Sequence, residues 1–198
     1  METLEQPGAR PLLIVGGNLA LDLANTVDDP GGPADFDHLG DVDRAAGWAG
    51  HFGLTGSEVS GTPADLQRLR QLRDAVASVF TAIADGRPVP DAGWSDVRHA
   101  VAHAVGRAEL AVVDDRFRLH VPTGDLGAVA DVVALAAHDL LTGDQLHRVK
   151  HCAQCHWLFL DRSKNGSRRW CSMDDCGGAV KARRYVARRA ARRTARTS

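Results

Sequence analysis

The chain has 198 residues and 44% apolar side chains, enough to bury a core, which excludes wholesale disorder. Its most apolar long stretch, Leu126 to Leu141, is interrupted by Asp131, His138 and Asp139, which excludes a membrane span; the polar first ten residues lack a secretory signal, so a cytoplasmic setting is expected. The net charge of -1 conceals a split: residues 1–147 hold 10 Lys/Arg against 22 Asp/Glu, and residues 148–198 hold 14 against 3, so the chain is expected to divide there, the second part seeking an anionic partner.

In chain order, residues 11–15 read as a short buried strand ended by Gly16-Gly17. Asn18 caps a helix through about Val27 that is apolar nearly all round. Residues 28–40, rich in Asp, Gly and Pro, predict a loop, Asp41 to Phe52 a short helix with Trp48 in the core, and 53–61 another loop. Thr62-Pro63-Ala64-Asp65 is a helix start, and Leu66, Leu69, Leu72, Val76, Val79, Phe80 and Ile83 follow at helical spacing until Asp85-Gly86. A further helix spans Asp91 to Arg107. Residues 109–113 and 116–121 flank Asp114-Asp115 as a hairpin, and a helix from Asp125 to Leu141 stops at Thr142-Gly143.

All four cysteines, Cys152, Cys155, Cys171 and Cys176, fall in one C-x2-C-x15-C-x4-C run. In a reducing compartment such pairs point to metal, and four thiolates suit one tetrahedral zinc ion. A closed thiolate shell leaves no position for water, so the zinc is expected to be structural. A redox pair would use only two of the four, and His151 or His156 could replace a ligand. The fifteen residues between the pairs predict a hairpin, with Trp157 to Leu160 as one strand, Asn165-Gly166 as the turn and Arg168 to Trp170 as the return; Cys176 then starts the last helix, a treble-clef arrangement. So few apolar residues after 148 predict that the metal is needed for folding.

From Gly177 the chain is rich in Ala and Arg and predicts a helix. At about 100° per residue, Lys181, Arg184, Arg188, Arg192 and Arg196 share one arc, with Arg189 beside it and Arg183 opposite. Arg168 and Arg169 add charge nearby. The stripe matches phosphates along a groove; the competing reading is a solvated helix, or one docked on the acidic part.

The run Cys152-x-x-Cys155-x-Trp157-x-Phe159-x-Asp161, then Arg168-Arg169-Trp170-Cys171-Ser172-Met173-x-x-Cys176-Gly177 and Lys181, resembles the CGNR-type zinc finger. Gly16-Gly17-x-Leu19-x-Leu21-Asp22-x-x-Asn25-Thr26 resembles the start of the ABATE domain that precedes that finger. The resemblance implies a bacterial stress-induced transcription regulator whose zinc module binds DNA. Gly178 stands where the finger has Asn, and Ala179 where it has Arg, so contacts by those two side chains are missing here.

Asp22 and Asn25 lie one turn apart on an apolar helix and need partners, either a structural hydrogen-bond network or a ligand pocket for a small-molecule effector. His99 and His103 are spaced i, i+4, yet no third metal ligand or HExxH pattern accompanies them, and no nucleophile motif is visible, so no catalytic role is expected. The expected fold is α+β and mostly helical. A helical domain over 1–147 with a small hairpin or sheet precedes a treble-clef-like zinc module over 148–198 that ends in the basic helix. The expected function is a zinc-containing DNA-binding regulator, with homodimerisation open. The alternative is a zinc-stabilised RNA- or protein-interaction module without a promoter target.

Overall fold

Helix caps written into the sequence set the main elements of the computed structural model. It describes residues 2–5, 11–33, 35–113 and 115–197, with side chains for all of these except 56–59, 113 and 190–197. Strands β1 (Glu2–Leu4) and β2 (Leu12–Ile14) pair antiparallel. Helix α1 (Leu19–Ala24) starts where the Asn18 side chain accepts from the Ala20 amide. The Asp- and Gly-rich stretch after it is not all loop, because β3 (Val27–Asp28) and β4 (Phe36–Asp37) pair across it. Helix α2 (Val42–His51) is capped by Asp41 and buries Trp48. Strand β5 (Thr55–Ser60) occupies the second expected loop and pairs in parallel with β8 (Gly124–Asp125). Such short pairings carry little periodicity, so turn-forming composition hid both.

Helix α3 (Pro63–Ala84) opens with a full capping box: Thr62 accepts from the Asp65 amide, and the Asp65 carboxylate accepts from the Thr62 amide at 2.8 Å. Helix α4 (Asp91–Arg107) leads into the expected hairpin of β6 (Glu109–Val113) and β7 (Arg116–His120), and Asp125 caps α5 (Leu126–Thr142). Helices α3, α4 and α5 pack against one another, and α1 lies on α3 and α5. The described structure is mostly helical with small sheets, and it ends in a cysteine cluster and a helix.

After a short 3-10 turn, β9 (Val149–His151) and β10 (Leu158–Leu160) pair antiparallel, with Leu158 opposite His151 and Leu160 opposite Val149. This corrects the expected hairpin. Strand 158–160 pairs upstream with 149–151, not downstream with 168–170, and the first cysteine pair lies in its turn. The reason is Asp161. Its wholly buried carboxylate accepts from the Ser163 amide and hydroxyl, the Arg168 amide and the Lys150 ammonium, the last at 2.7 Å. A side-chain acceptor therefore turns residues 161–168, and no second ladder is needed. Burial works against that charge, but the Lys150, Ser163 and Arg168 donors hold the carboxyl well below the usual carboxylate range.

The outer edge of β10 is closed by the N-terminal part. Asn25 acts as a surrogate strand: its Nδ2 donates to the Leu158 carbonyl and its Oδ1 accepts from the Leu158 amide, both at 2.8 Å. Leu160 N donates to the Gly16 carbonyl at 2.8 Å, while Gly16 N donates to Asp22 Oδ1 at 2.7 Å. A Cβ at Gly16 would lie 2.7 Å from the Asp22 nitrogen, so only glycine allows this approach. Trp157 Nε1 donates to the Val27 carbonyl. Leu158, Phe159 and Leu160 thus join the same core as Leu21, Val76 and Phe80. The charge divides near residue 147; the core does not. We predict that Asn25→Ala, which strands both polar groups of Leu158, costs about 2–4 kcal/mol in denaturant unfolding; a loss within error would mean that water replaces the clamp.

Candidate metal centre and the basic helix

The β9–β10 turn brings the first two cysteines to one end of the hairpin. Cys152 N donates to the Trp157 carbonyl at 2.9 Å, and Ala153 N donates to the Arg169 carbonyl at 2.9 Å, which lays the second cysteine segment on the first. Cys171 N donates to Cys152 Sγ at 3.3 Å. Ser172 then caps a single π-helical turn, Met173–Gly177, through the Asp175 amide, and this turn carries Cys176. Cys152, Cys171 and Cys176 are buried and Cys155 is partly so.

The four sulfurs lie within 4.8 Å of one another, with Cys155–Cys171 at 3.6 Å and Cys171–Cys176 at 3.7 Å. A tetrahedral shell with metal–sulfur bonds of about 2.3 Å places its sulfurs about 3.8 Å apart, so the donor set fits a zinc-sized ion. The charge argument agrees. A hydrogen bond from Cys171 holds the Cys155 thiol down to about 5, whereas burial and then the neighbouring thiols push Cys176 up to about 12. Four thiolates at this spacing repel one another, and a divalent cation at their centre removes that conflict. The flanking histidines stand elsewhere: His156 Nε2 lies 2.7 Å from the Val27 carbonyl and His151 Nδ1 lies 3.3 Å from Asp85. Neither joins the cluster.

Helix α6 (Gly178–Thr197) leaves the π-helical turn and packs chiefly on it. Lys181, Arg183, Arg184, Arg188 and Arg189 are all exposed, and Arg183 reaches the Gln154 side chain. The side chains of Arg192 and Arg196 lie outside the described residues. Tyr185, 65% exposed, shares the arc of Lys181, Arg184 and Arg188, a placement the charge pattern alone did not single out. Arg168 is engaged inward: its guanidinium stacks over the Phe159 ring at 4.6 Å and donates to the Trp170 and Cys171 carbonyls. Arg169 is exposed, its guanidinium 5.5 Å from the Trp170 ring centre. At Gly178 a Cβ would meet only the Met173 carbonyl at 3.6 Å, an ordinary contact, so the fold does not require glycine there.

Among the described residues Asp22 and Asn25 border different hollows. Asn25 lines a cleft of about 730 Å³ between α3, the β3–β4 hairpin and β9–β10, together with Arg73, Ser78, His151 and Leu158. Asp22 borders a separate hollow beside Val15 and Ser172. Burial pushes the Asp22 carboxyl up to about 6, against the Gly16 amide that pulls it down. Protonation therefore favours the folded chain. This contribution is full below about pH 4 and is lost as pH rises through 6, to an extent of about 3 kcal/mol. We predict that wild type loses about 2 kcal/mol of this relative to Asp22→Asn between pH 4.5 and 7.5 in urea titrations; the comparison cancels the proton-linked metal loss common to both. A constant difference would show Asp22 ionised throughout. His103 is held by the wholly buried Asp131 at 2.9 Å, beside Arg68 and Arg107, and belongs to no cluster of three or more metal-ligating side chains among the described residues.

The chain matches none of the curated proteins compared. Two families match it. The ABATE family, described as "Putative stress-induced transcription regulator", matches residues 17–144, and the CGNR zinc finger matches residues 148–189. Both are regulatory or zinc-binding modules, not catalytic ones. No helix among the described residues is long and apolar enough to cross a membrane. With the first match covering well over half of its length and the second falling on the four-cysteine cluster, the chain belongs to the ABATE family and carries a CGNR zinc finger.

Proposed function

We propose that this protein is a cytoplasmic transcription regulator in which one structural zinc ion, held by Cys152, Cys155, Cys171 and Cys176, positions α6 on the phosphate backbone of duplex DNA. The observation that carries this reading is the exposed cationic face of α6, bearing Lys181, Arg184, Arg188 and Arg189 with Tyr185 among them. Arg169, also exposed, adds positive charge to the same module. Arginine and lysine on one face neutralise phosphates and release counterions, and an exposed aromatic ring adds a stacking surface. The zinc supplies rigidity: four bonds fix the start of α6 on a hairpin that the main core already holds. The cleft beside Asn25 touches both the helical part and β9–β10, so an effector bound there would contact both. It would bias DNA binding only by favouring one arrangement of the two.

The replacement of the finger's Asn and Arg by Gly178 and Ala179 removes two side chains that could read bases, which favours backbone contact as the main source of affinity. Selection from a random duplex pool tests the regulator reading. Enrichment of a recurrent site, with duplex RNA competing poorly, is expected. No enrichment, together with equal competition by RNA, would favour the RNA- or protein-interaction module.

A further inference from the structure

The β6–β7 ribbon carries a face that the described residues leave uncovered. The register sets Leu110 opposite Leu119 and Val112 opposite Phe117, so alternation places all four side chains on one side. Leu110 is 74% exposed, Val112 64% and Phe117 81%. None of the four belongs to the hydrophobic core or to the apolar residues packed around it, and among the described residues no other element packs closely on the ribbon. A two-stranded ribbon is marginal in water without such cover, and a contiguous apolar patch of this kind marks an interaction surface.

We propose that this face is a homodimer interface, in which the ribbons of two copies pack face to face about a twofold axis. Three observations select a second copy. Facing pairs of the same four residues are self-complementary, as a twofold contact requires. Two such faces laid together remove on the order of 1,000 Å² from water, near the lower limit for a specific interface. The ribbon's own charge is nearly balanced: residues 109–120 hold Glu109, Asp114 and Asp115 against Arg116 and Arg118, unlike the acidic part around them. A copy is therefore not repelled, whereas a strongly charged partner finds no matching field. Edge-to-edge pairing fits less well. Antiparallel β7 strands centred on Arg118 would set Arg118 against its copy, and the exposed apolar face would double instead of being covered. The face-to-face arrangement leaves Arg116 and Arg118 on the outer side. This assignment does not rest on nucleic-acid binding.

The test is the mass of the zinc-loaded full chain in solution, measured by light scattering across micromolar concentrations. Wild type should approach twice 21.2 kDa as concentration rises. Phe117→Lys should weaken association on the order of thirtyfold or more, as removal of a central aromatic does. Leu110→Thr, which keeps strand propensity, should weaken it as well. Arg118→Ala, on the opposite face of the same strand, should leave it unchanged. Unaltered circular dichroism in each variant keeps the comparison clean, because all three side chains are exposed. A wild-type chain that stays monomeric would overturn the proposal, as would a dimer indifferent to Phe117→Lys. So would a monomer that sediments with phosphatidylcholine vesicles through Phe117, which would give the face to a lipid surface.

Discussion

Cys155→Ser is expected to abolish metal binding and to lower the stability of the whole chain, not of residues 148–198 alone. Structural zinc contributes about 10–16 kcal/mol to the folding of small zinc-dependent peptides, comparable to the entire stability of an ordinary domain. A metal at the cluster would join two segments that also meet through Ala153 to Arg169, Cys171 to the Cys152 sulfur, and the Lys150 and Asp161 bonds to residues 166–168. With the centre broken, Cys171, Cys176 and α6 lose their anchor. The strain then reaches the main core, because Leu158, Phe159 and Leu160 lie in it beside α1 and α3. Metal analysis of reduced, unchelated wild type should give one zinc per chain, and the variant should give none. Its thermal midpoint should fall, with proteolysis starting beyond Asp161 and a loosened core behind it. Wild type free of zinc, or a variant that keeps a full equivalent, would contradict this account.

The four-cysteine cluster was legible because its geometry is local: C-x2-C sets two sulfurs on one turn, and four cysteines within one short run leave few other groupings. The capped helices were legible for the same reason, Thr62-Pro63 and Asp125 most clearly. What escaped the sequence is long-range. The partner of strand 158–160 is chosen by Asp161, which turns the following loop with its side chain, and by Asn25, which closes the strand edge from 133 residues away. Neither leaves a periodic trace. The charge split marks two functional parts, yet charge reports on surfaces and does not reveal that buried apolar residues of both parts form one cluster. A fragment of residues 148–198 would expose Leu158 and Phe159, so experiments on the zinc module call for the full chain. Arg168 lies with its guanidinium over Phe159, a contact that the charge pattern does not show.

The central claim is that α6 binds the phosphate backbone, and replacing Lys181, Arg184 and Arg188 together by Ala tests it most directly. All three side chains are exposed, so their removal leaves the four-cysteine cluster and the core intact. Each phosphate contact contributes a slope of about -0.9 to the dependence of log affinity on log salt. Wild type with roughly six contacts should therefore show a slope near -5, and the triple variant one shallower by about 2.7. At low salt the variant should bind at least about tenfold more weakly, and equally so for every duplex sequence, since phosphates carry no sequence information. The measurement is the salt titration of fluorescently labelled duplex DNA by the zinc-loaded full chain and by the variant. A flattened slope with uniformly weaker binding is the predicted result. An unchanged slope and affinity would contradict the account and leave the arginine stripe a solvated helix face.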